Sequence, residues 1–422
     1  MINSKFDNVQ LILKQIMFFL CVIAFCSIIV NPYLSVKIFS IAGMVAFFIA
    51  LTECKKLKNN DAKWLCLSLL LIGICDLIWY GLFKNGNSPA INSYRAYLEV
   101  GKICCFGSFV LYVLSLNNQK TKGFIYTNKI HYLAALLLQI MMIGYTVYQS
   151  VYLGVPRVTL ALTGGTDATG AAYTVVFLSI YIILVLQHLR IKFREILLIA
   201  HFFITLVILV TTETRAAILT YPVIVFSLLI VKIYREKHVP WKALAVFALV
   251  FLAGLWIMKG SIIQRYNDLN NDIVAYDQNN SATSVGARFA MWETGLIAAS
   301  HNYLWQSTDQ RNEIITAVVA KDPSLRGALD HMRGHLHNEI VETISTKGPS
   351  GLLLYFMFII SFFIYAYRKL NSVIMCAFLV SFISFGFTGV MFYSKTTPIA
   401  WMLVLIMSVA LLVSNSKDKV FK

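Results

Sequence analysis

The sequence predicts an all-α membrane protein that crosses the bilayer about twelve times. Hydrophobic residues make up 58% of the 422 residues, whereas charged residues make up only 13%. Soluble domains contain about a quarter charged residues. The mean hydropathy is +0.71, and apolar runs long enough to cross roughly 30 Å of hydrocarbon as helices recur along the whole chain. These observations together define an integral membrane protein.

The apolar runs give the order of the predicted spans. They cover 16–31, 35–52, 64–83, 97–116, 131–149, 171–189, 195–212, 216–234, 241–258, 350–367, 372–391 and 397–414. Clusters of Lys and Arg occupy every second loop, and the alternate short loops hold one or two basic residues each. Because basic residues concentrate in cytoplasmic loops, this alternation predicts that both termini are cytoplasmic. No small-residue cleavage site follows the first run, which predicts a retained span and not a removed signal peptide.

The net charge of +16 comes from these short loops and not from one basic face, so nucleic acid is not a predicted partner. The eight cysteines lie in apolar runs or in a short basic loop, and none has a Cys-x-x-Cys spacing. We therefore predict neither a disulfide framework nor a cysteine metal site.

The spans divide the chain into three parts. Residues 1–258 hold spans one to nine, 259–349 form a long loop outside the cytoplasm, and 350–422 hold the last three spans and a cytoplasmic tail. The loop is acidic and carries Asn- and Ser-rich turns between the helix-like runs 284–299 and 310–320. It predicts a small helical subdomain.

Three arginines at or beyond the outer surface are candidates for binding phosphate, because guanidinium stays charged and offers a planar fork of donors. They are Arg215, Arg288 and Arg333. Plainer alternatives remain open. Arg215 could be an interfacial anchor paired with Glu213, Arg288 could lie on a solvated helix face or pair with Glu293, and Arg333 could be an ordinary loop charge.

The stretch HMRGHLHNEI, which begins at His331, contains three histidines and lies shortly before the start of a predicted span. An imidazole has an ordinary pKa near ~6.5, so His337 is well suited to accept a proton near neutral pH. His335 and Asn338 are supporting candidates. Two alternatives are open: His337 could be a helix-capping or hydrogen-bonded interfacial residue, and Asn338 could simply begin the helix as its cap. The stretch lacks the H-E-x-x-H pattern, and no metal is predicted.

Ionisable residues inside spans usually face a cavity or a partner. Asp76 lies in GICDLIWYGLFK, and Glu99 and Lys102 lie three residues apart in YLEVGKICC. The sequence permits two interpretations of this group. The three residues could form a coupled, buried cluster of ion pairs, or they could line a groove for a lipid phosphate that Lys102 binds.

These motifs together resemble the O-antigen ligase family of Gram-negative inner membranes, within the group that includes O-antigen polymerases and protein O-oligosaccharyltransferases. The resemblance rests on TETR ending at Arg215, on Ser284 to Arg288 with W-x-x-G from Trp292 to Gly295, on His337-Asn338, and on G-x-x-G from Gly348 to Gly351. DLIWY and GTDATGAAY are similar to the enterobacterial members. HNYLWQSTDQR departs from the group, which often has a Gly-rich turn there.

The resemblance implies a GT-C-type glycosyltransferase without cofactor or metal that acts with inversion on the periplasmic side. Its donor would be O-antigen on undecaprenyl diphosphate, and its acceptor a sugar hydroxyl of lipid A-core. His337 would be the general base, and Arg215 and Arg288 would hold the diphosphate. An O-antigen polymerase uses the same donor and remains an alternative. A secondary transporter would have similar hydropathy, but its long central loop is expected in the cytoplasm.

Overall fold

The computed structural model describes residues 2–53, 60–116, 128–160, 167–237, 241, 245, 248–249, 259–331, 334–394 and 396–418. Within these ranges the chain is helical, as predicted, and its α-helices follow in this order: α1 (Ile2–Ser27), α2 (Pro32–Thr52), α3 (Lys63–Phe83), α4 (Ile91–Ser115), α5 (Asn128–Val147), α6 (Ala168–Gln187), α7 (Arg194–Thr211), α8 (Arg215–Glu236), α9 (Lys259–Asp277), α10 (Ser284–His301), α11 (Thr308–Lys321), α12 (Glu339–Ile364), α13 (Val373–Gly386) and α14 (Thr397–Asp418). Short π-helical turns extend α5 and α12, and a 3-10 helix covers Pro323–His331.

Ten of these helices are long and apolar enough to cross a membrane, namely α1 to α8, α12 and α14. The predicted run 372–391 corresponds to α13, which has only 14 residues and ends at Gly386. The prediction that this run continues as a helix to residue 391 was wrong. The segment after Gly386 is not helical, and it is buried against the start of α12. The predicted run 241–258 lies almost wholly outside the described residues.

Two helices form the centre of the bundle. In the most apolar stretches of α6 and α14, 89% and 83% of the residues are buried inside the protein, far more than in the peripheral helices. Both helices are apolar around their whole circumference, which suits a helix surrounded by other helices. The other spans cover them and expose apolar side chains outward, as lipid-facing helices do.

Helices α9 to α11 and the 3-10 helix form the predicted subdomain at one end of the bundle. The predicted helix-like runs 284–299 and 310–320 are α10 and α11. Ser307 and Gln310 form a capping box that starts α11. The subdomain has its own small apolar core, to which Leu336 and Val341 also belong, so it is packed onto the start of α12. We call this end of the bundle the subdomain end.

The other end of the bundle carries basic loops. Lys369 Nζ donates to Asp61 Oδ1 at 2.6 Å, and Asn128 Nδ2 donates to Asn415 Oδ1 at 3.1 Å. These contacts join the starts of α3 and α5 to the ends of α12 and α14. The ends that the charge pattern predicts to share one face of the membrane therefore lie together.

Candidate active site

A cavity of about 690 Å³ lies at the subdomain end of the bundle. The starts of α4 and α6, the loop before α12 and the segment between α13 and α14 form its wall. Most of the lining side chains are polar: Asn92, Ser93, Ala96, Asp167, Thr169, Gly170, Tyr173, Asp330, Gly334, His335, His337, Gly389, Val390, Tyr393, Ser394 and Thr397. His335 and His337 thus face the same space, and the sequence did not single out Asp167, Asp330 or Tyr393 as their neighbours.

The loop that carries the histidines has a defined geometry. The rings of His335 and His337 meet edge to face with centroids 4.6 Å apart. His337 has a left-handed backbone with φ of +49°, a conformation that is uncommon outside glycine. The side-chain oxygen of Asn338 accepts hydrogen bonds from the N–H groups of Ile340 and Val341 at 3.0 and 3.2 Å. Asn338 is therefore the N-cap of α12, one of the two roles left open for it.

Burial lowers the pKa of His335 below its ordinary value, because removal from water disfavours the charged ring. Glu342 and Asp167 oppose this effect without reversing it. The neutral form of His335 is thus favoured near neutral pH, and its Nδ1 is buried without a hydrogen bond to any described residue. Arg333 lies outside the described residues.

A buried ion pair holds the histidine loop in place. Arg311 Nη1 donates to Glu342 Oε2 at 2.9 Å, and both side chains are fully buried. The same carboxylate accepts hydrogen bonds from the Leu336 N–H at 2.9 Å and from the Tyr97 hydroxyl at 2.8 Å. Glu342 therefore joins α4, α11 and the loop between His335 and His337. Sequence reasoning missed this network, although a glutamate four residues after the His-Asn pair was a visible signal.

Gly295 of the W-x-x-G motif explains how the loop packs onto α10. A Cβ at this position would lie 2.6 Å from side-chain atoms of both Leu336 and Val341. Leu336 is the residue between the two histidines, and it is 1% exposed. The absence of a side chain at Gly295 thus lets the histidine loop approach the subdomain closely.

The partner of Asp76 differs from the prediction. Lys347 Nζ donates to Asp76 Oδ1 at 2.6 Å, and both side chains are buried. Lys347 also contacts the Tyr393 hydroxyl and lies over the Tyr393 ring, 4.5 Å from its centroid. Coupling of Asp76 to Glu99 and Lys102 was therefore wrong, because packing of α3 against α12 brings a lysine 271 residues away to this carboxylate.

Glu99 and Lys102 form the other half of the predicted cluster. Their side chains are paired at 3.3 Å, as the spacing predicted, but they are 48% and 40% exposed and not buried. Neither residue lines the cavity. The proposed contact between Lys102 and a lipid phosphate thus has no support from the position of this pair.

Arg215 is the first residue of α8. Its guanidinium lies 3.5 Å from Asp268 and 3.9 Å from Asp272, both on α9, and it is one-third exposed. Its partners are therefore these aspartates. The preceding Thr214 donates to the Ala168 carbonyl at the start of α6 at 3.4 Å, which places Arg215 beside a helix end that lines the cavity.

Arg288 lies in the second turn of α10 and is half-buried. It interacts electrostatically with Tyr173, whose hydroxyl hydrogen-bonds to Thr388 at 2.8 Å on the cavity wall. Among the residues that the structure describes, Arg288 has no ion pair, and the alternative partner Glu293 instead accepts a hydrogen bond from Tyr276. Arg288 is thus a cation near the cavity whose charge is not neutralised by a described carboxylate.

Fold and site together define a polytopic helical membrane protein with a polar, histidine-bearing cavity at one end of its bundle. The family model described as O-antigen ligase matches residues 200–356, which include Arg215, Arg288 and His337. The O-antigen ligase of Escherichia coli strain K12 is 31% identical over 415 residues, covering 97% of this chain and 95% of that protein. An uncharacterized protein of Haemophilus influenzae is 28% identical over 177 residues, covering 40% of this chain and 44% of that protein.

The chain therefore belongs to the O-antigen ligase family, as its motifs predicted. Membership in this family implies a glycosyltransferase-type enzyme.

Proposed function

We propose that this protein transfers a preassembled O-antigen glycan from undecaprenyl diphosphate to a sugar hydroxyl of lipid A-core. The observation that carries the proposal is the position of His337, on the wall of a cavity that the ends of the spans enclose. Both substrates are lipids, so a reaction site at the end of a membrane bundle can receive their polar parts while their acyl or prenyl chains stay in the bilayer.

In the proposed step the acceptor oxygen attacks the anomeric carbon of the donor while the bond from that carbon to the diphosphate oxygen breaks. His337 takes the proton of the acceptor hydroxyl, and undecaprenyl diphosphate leaves as the anion. Attack opposite the leaving group inverts the anomeric configuration. A positioned base contributes about 10²–10⁴ in rate to such a transfer.

The leaving diphosphate requires positive charge, which Arg288 and Arg215 supply in this proposal. Arg288 fits best, since no described carboxylate neutralises it. Arg215 would have to exchange Asp268 and Asp272 for the donor, or share its fork among them. The lipid-linked donor already contains a diphosphate that leaves as a stable anion, so neither a metal nor a cofactor is part of the proposed step.

The proposal includes the predicted membrane arrangement. The site would face the periplasm from the inner membrane of a Gram-negative cell, both termini would be cytoplasmic, and the bundle would be of the GT-C type. Residues 259–349 would then form a periplasmic subdomain between the spans of 1–258 and those of 350–422. A reporter fused near Asn280 tests this arrangement, because a cytoplasmic readout there contradicts it.

Lipopolysaccharide gels of a strain that lacks the gene test the function. Loss of a ligase leaves lipid A-core without O-antigen while lipid-linked polymer accumulates, whereas loss of a polymerase leaves core with a single repeat. Plasmids encoding the wild type, His337→Ala or Arg288→Lys are then compared at equal protein level. We expect that the wild type restores the ladder and that both variants fail, since lysine cannot reproduce the planar fork. A normal ladder with His337→Ala removes that residue as the base.

A further inference from the structure

A second large cavity lies at the end of the bundle opposite His337. It has a volume of about 640 Å³, and helix ends from α6, α7, α8 and α14 and the turn between α12 and α13 enclose it. The family reaction at the subdomain end makes no use of this space.

Basic side chains converge on this cavity from three elements. Arg194 lies at the start of α7, Lys232 and Arg235 lie near the end of α8, and Lys369 lies after α12. Glu195 neutralises part of this charge, since it accepts from Arg194 at 2.8 Å and from Lys232 at 2.7 Å.

Two cations remain available at the mouth of the cavity. Arg235 is exposed and makes no ion pair with any residue that the structure describes. Lys369 pairs with Asp61, but both side chains are about half exposed, and such a pair in water is weak. Glu236 is the single acidic residue in the stretch 236–267 that follows Arg235, so the sequence after this arginine supplies little negative charge.

The start of α13 adds a third attraction for anions. Ser372 caps this helix, and Ser372, Val373 and Ile374 all line the cavity. Free N–H groups and the helix dipole at an N-terminus favour negative charge. Cations and helix N-terminus together fit the phosphate group of a ligand.

An apolar groove adjoins the basic cavity. It shares Gln187, Leu228 and Lys232 with the cavity and continues along α6, α7 and α8 past Leu198 and Phe202. A free phosphate has no apolar part that could bind in such a groove. A phospholipid has an anionic headgroup and an acyl chain, and it matches both parts.

We propose that this cavity, between α7 and α8 on one side and α13 and α14 on the other, binds the headgroup of an anionic phospholipid. The acyl chains lie along the groove. The lipid then bridges α8, the least buried of the ten spans, to the centre of the bundle. Basic pockets between spans are a known basis for recognition of anionic headgroups.

The experiment uses the purified full-length protein in dodecyl maltoside micelles and measures the anisotropy of fluorescently labelled phosphatidylglycerol. Unlabelled phosphatidylglycerol, phosphatidylcholine and inorganic phosphate serve as competitors. We expect that only phosphatidylglycerol competes. Arg235→Gln/Lys369→Gln should weaken binding about tenfold or more, given what each basic residue contributes near an anionic lipid.

The matched control is Lys129→Gln/Arg368→Gln, which removes the same charge from exposed positions at the same end without touching the cavity. It should bind as the wild type does. Equal weakening by both double variants would mean that net charge alone attracts the lipid and would overturn the proposal. Competition by phosphatidylcholine, or by inorganic phosphate at the concentration of the lipid, would overturn it as well.

A stability measurement guards against variants that fold poorly. Phosphatidylglycerol should raise the melting temperature of the wild type and of the control, but not that of Arg235→Gln/Lys369→Gln. An equal rise in all three proteins would also refute the site. Neither readout depends on glycan transfer, so a failure here leaves the proposed function untouched.

Discussion

Arg311→Met tests whether the buried ion pair under the histidine loop stabilises the protein. In the native structure Arg311 and Glu342 are fully buried and 2.9 Å apart. Removing the guanidinium leaves a charged carboxylate without its counter-ion, with only the Leu336 N–H and the Tyr97 hydroxyl as donors. Breaking a buried pair in this way costs about 3–5 kcal/mol, so the variant should lose that much of its free energy of unfolding.

The double variant Arg311→Met/Glu342→Gln separates the pair from its surroundings. Glutamine retains an oxygen for the Leu336 N–H and carries no charge, so this variant should be more stable than Arg311→Met alone. Lys102→Met is the matched control, since it breaks a pair with Glu99 that is about half exposed. Its cost should stay below about 1 kcal/mol.

Equilibrium unfolding in mixed micelles of dodecyl maltoside and dodecyl sulfate, followed by tryptophan fluorescence, measures all four proteins. A stabilising role for the buried ion pair is refuted if Arg311→Met loses no more stability than Lys102→Met. It is refuted equally if the double variant is no more stable than Arg311→Met, because the uncompensated carboxylate would then not be the cause.

Three further variants test the site. Gly295→Val should displace Leu336 and cost about 1–3 kcal/mol by overpacking, with a larger loss of glycan transfer than Gly295→Ala; equal transfer by the two would contradict this. Lys347→Met should cost about 3–5 kcal/mol by stranding Asp76, and Asp76→Asn added to it should recover stability in the same unfolding assay. His335→Gln should reduce the loss of stability on acidification. Because burial depresses the native pKa of His335, the unfolded chain binds the proton first as the pH falls. The contribution of the neutral His335 ring to stability is therefore fully present above the unfolded pKa of 6.5 and is lost as the pH falls from there through the lower native pKa. Identical losses for wild type and His335→Gln between pH 7.5 and 5.5 would contradict that linkage.

Several features of this protein are local enough to be predicted from sequence. The spans follow from apolar runs, because a helix satisfies its own backbone hydrogen bonds and needs only a fixed length to cross the hydrocarbon. The helices α10 and α11 follow from local periodicity and caps such as Ser307. The pairing of Glu99 with Lys102 follows from their spacing on one helix.

The sequence by itself thus determined the class of protein, the two ends of the bundle, the family and the His-Asn pair. Only the tertiary structure decided which charges meet. Asp76 is paired with Lys347 and Arg311 with Glu342 because separate helices pack together, and no periodicity within one helix records such a contact. Tertiary packing also decided the end of α13 at Gly386. The Glu339 carboxylate accepts hydrogen bonds from the N–H groups of Met391 and Phe392, so the buried segment after α13 needs no helix to satisfy these groups.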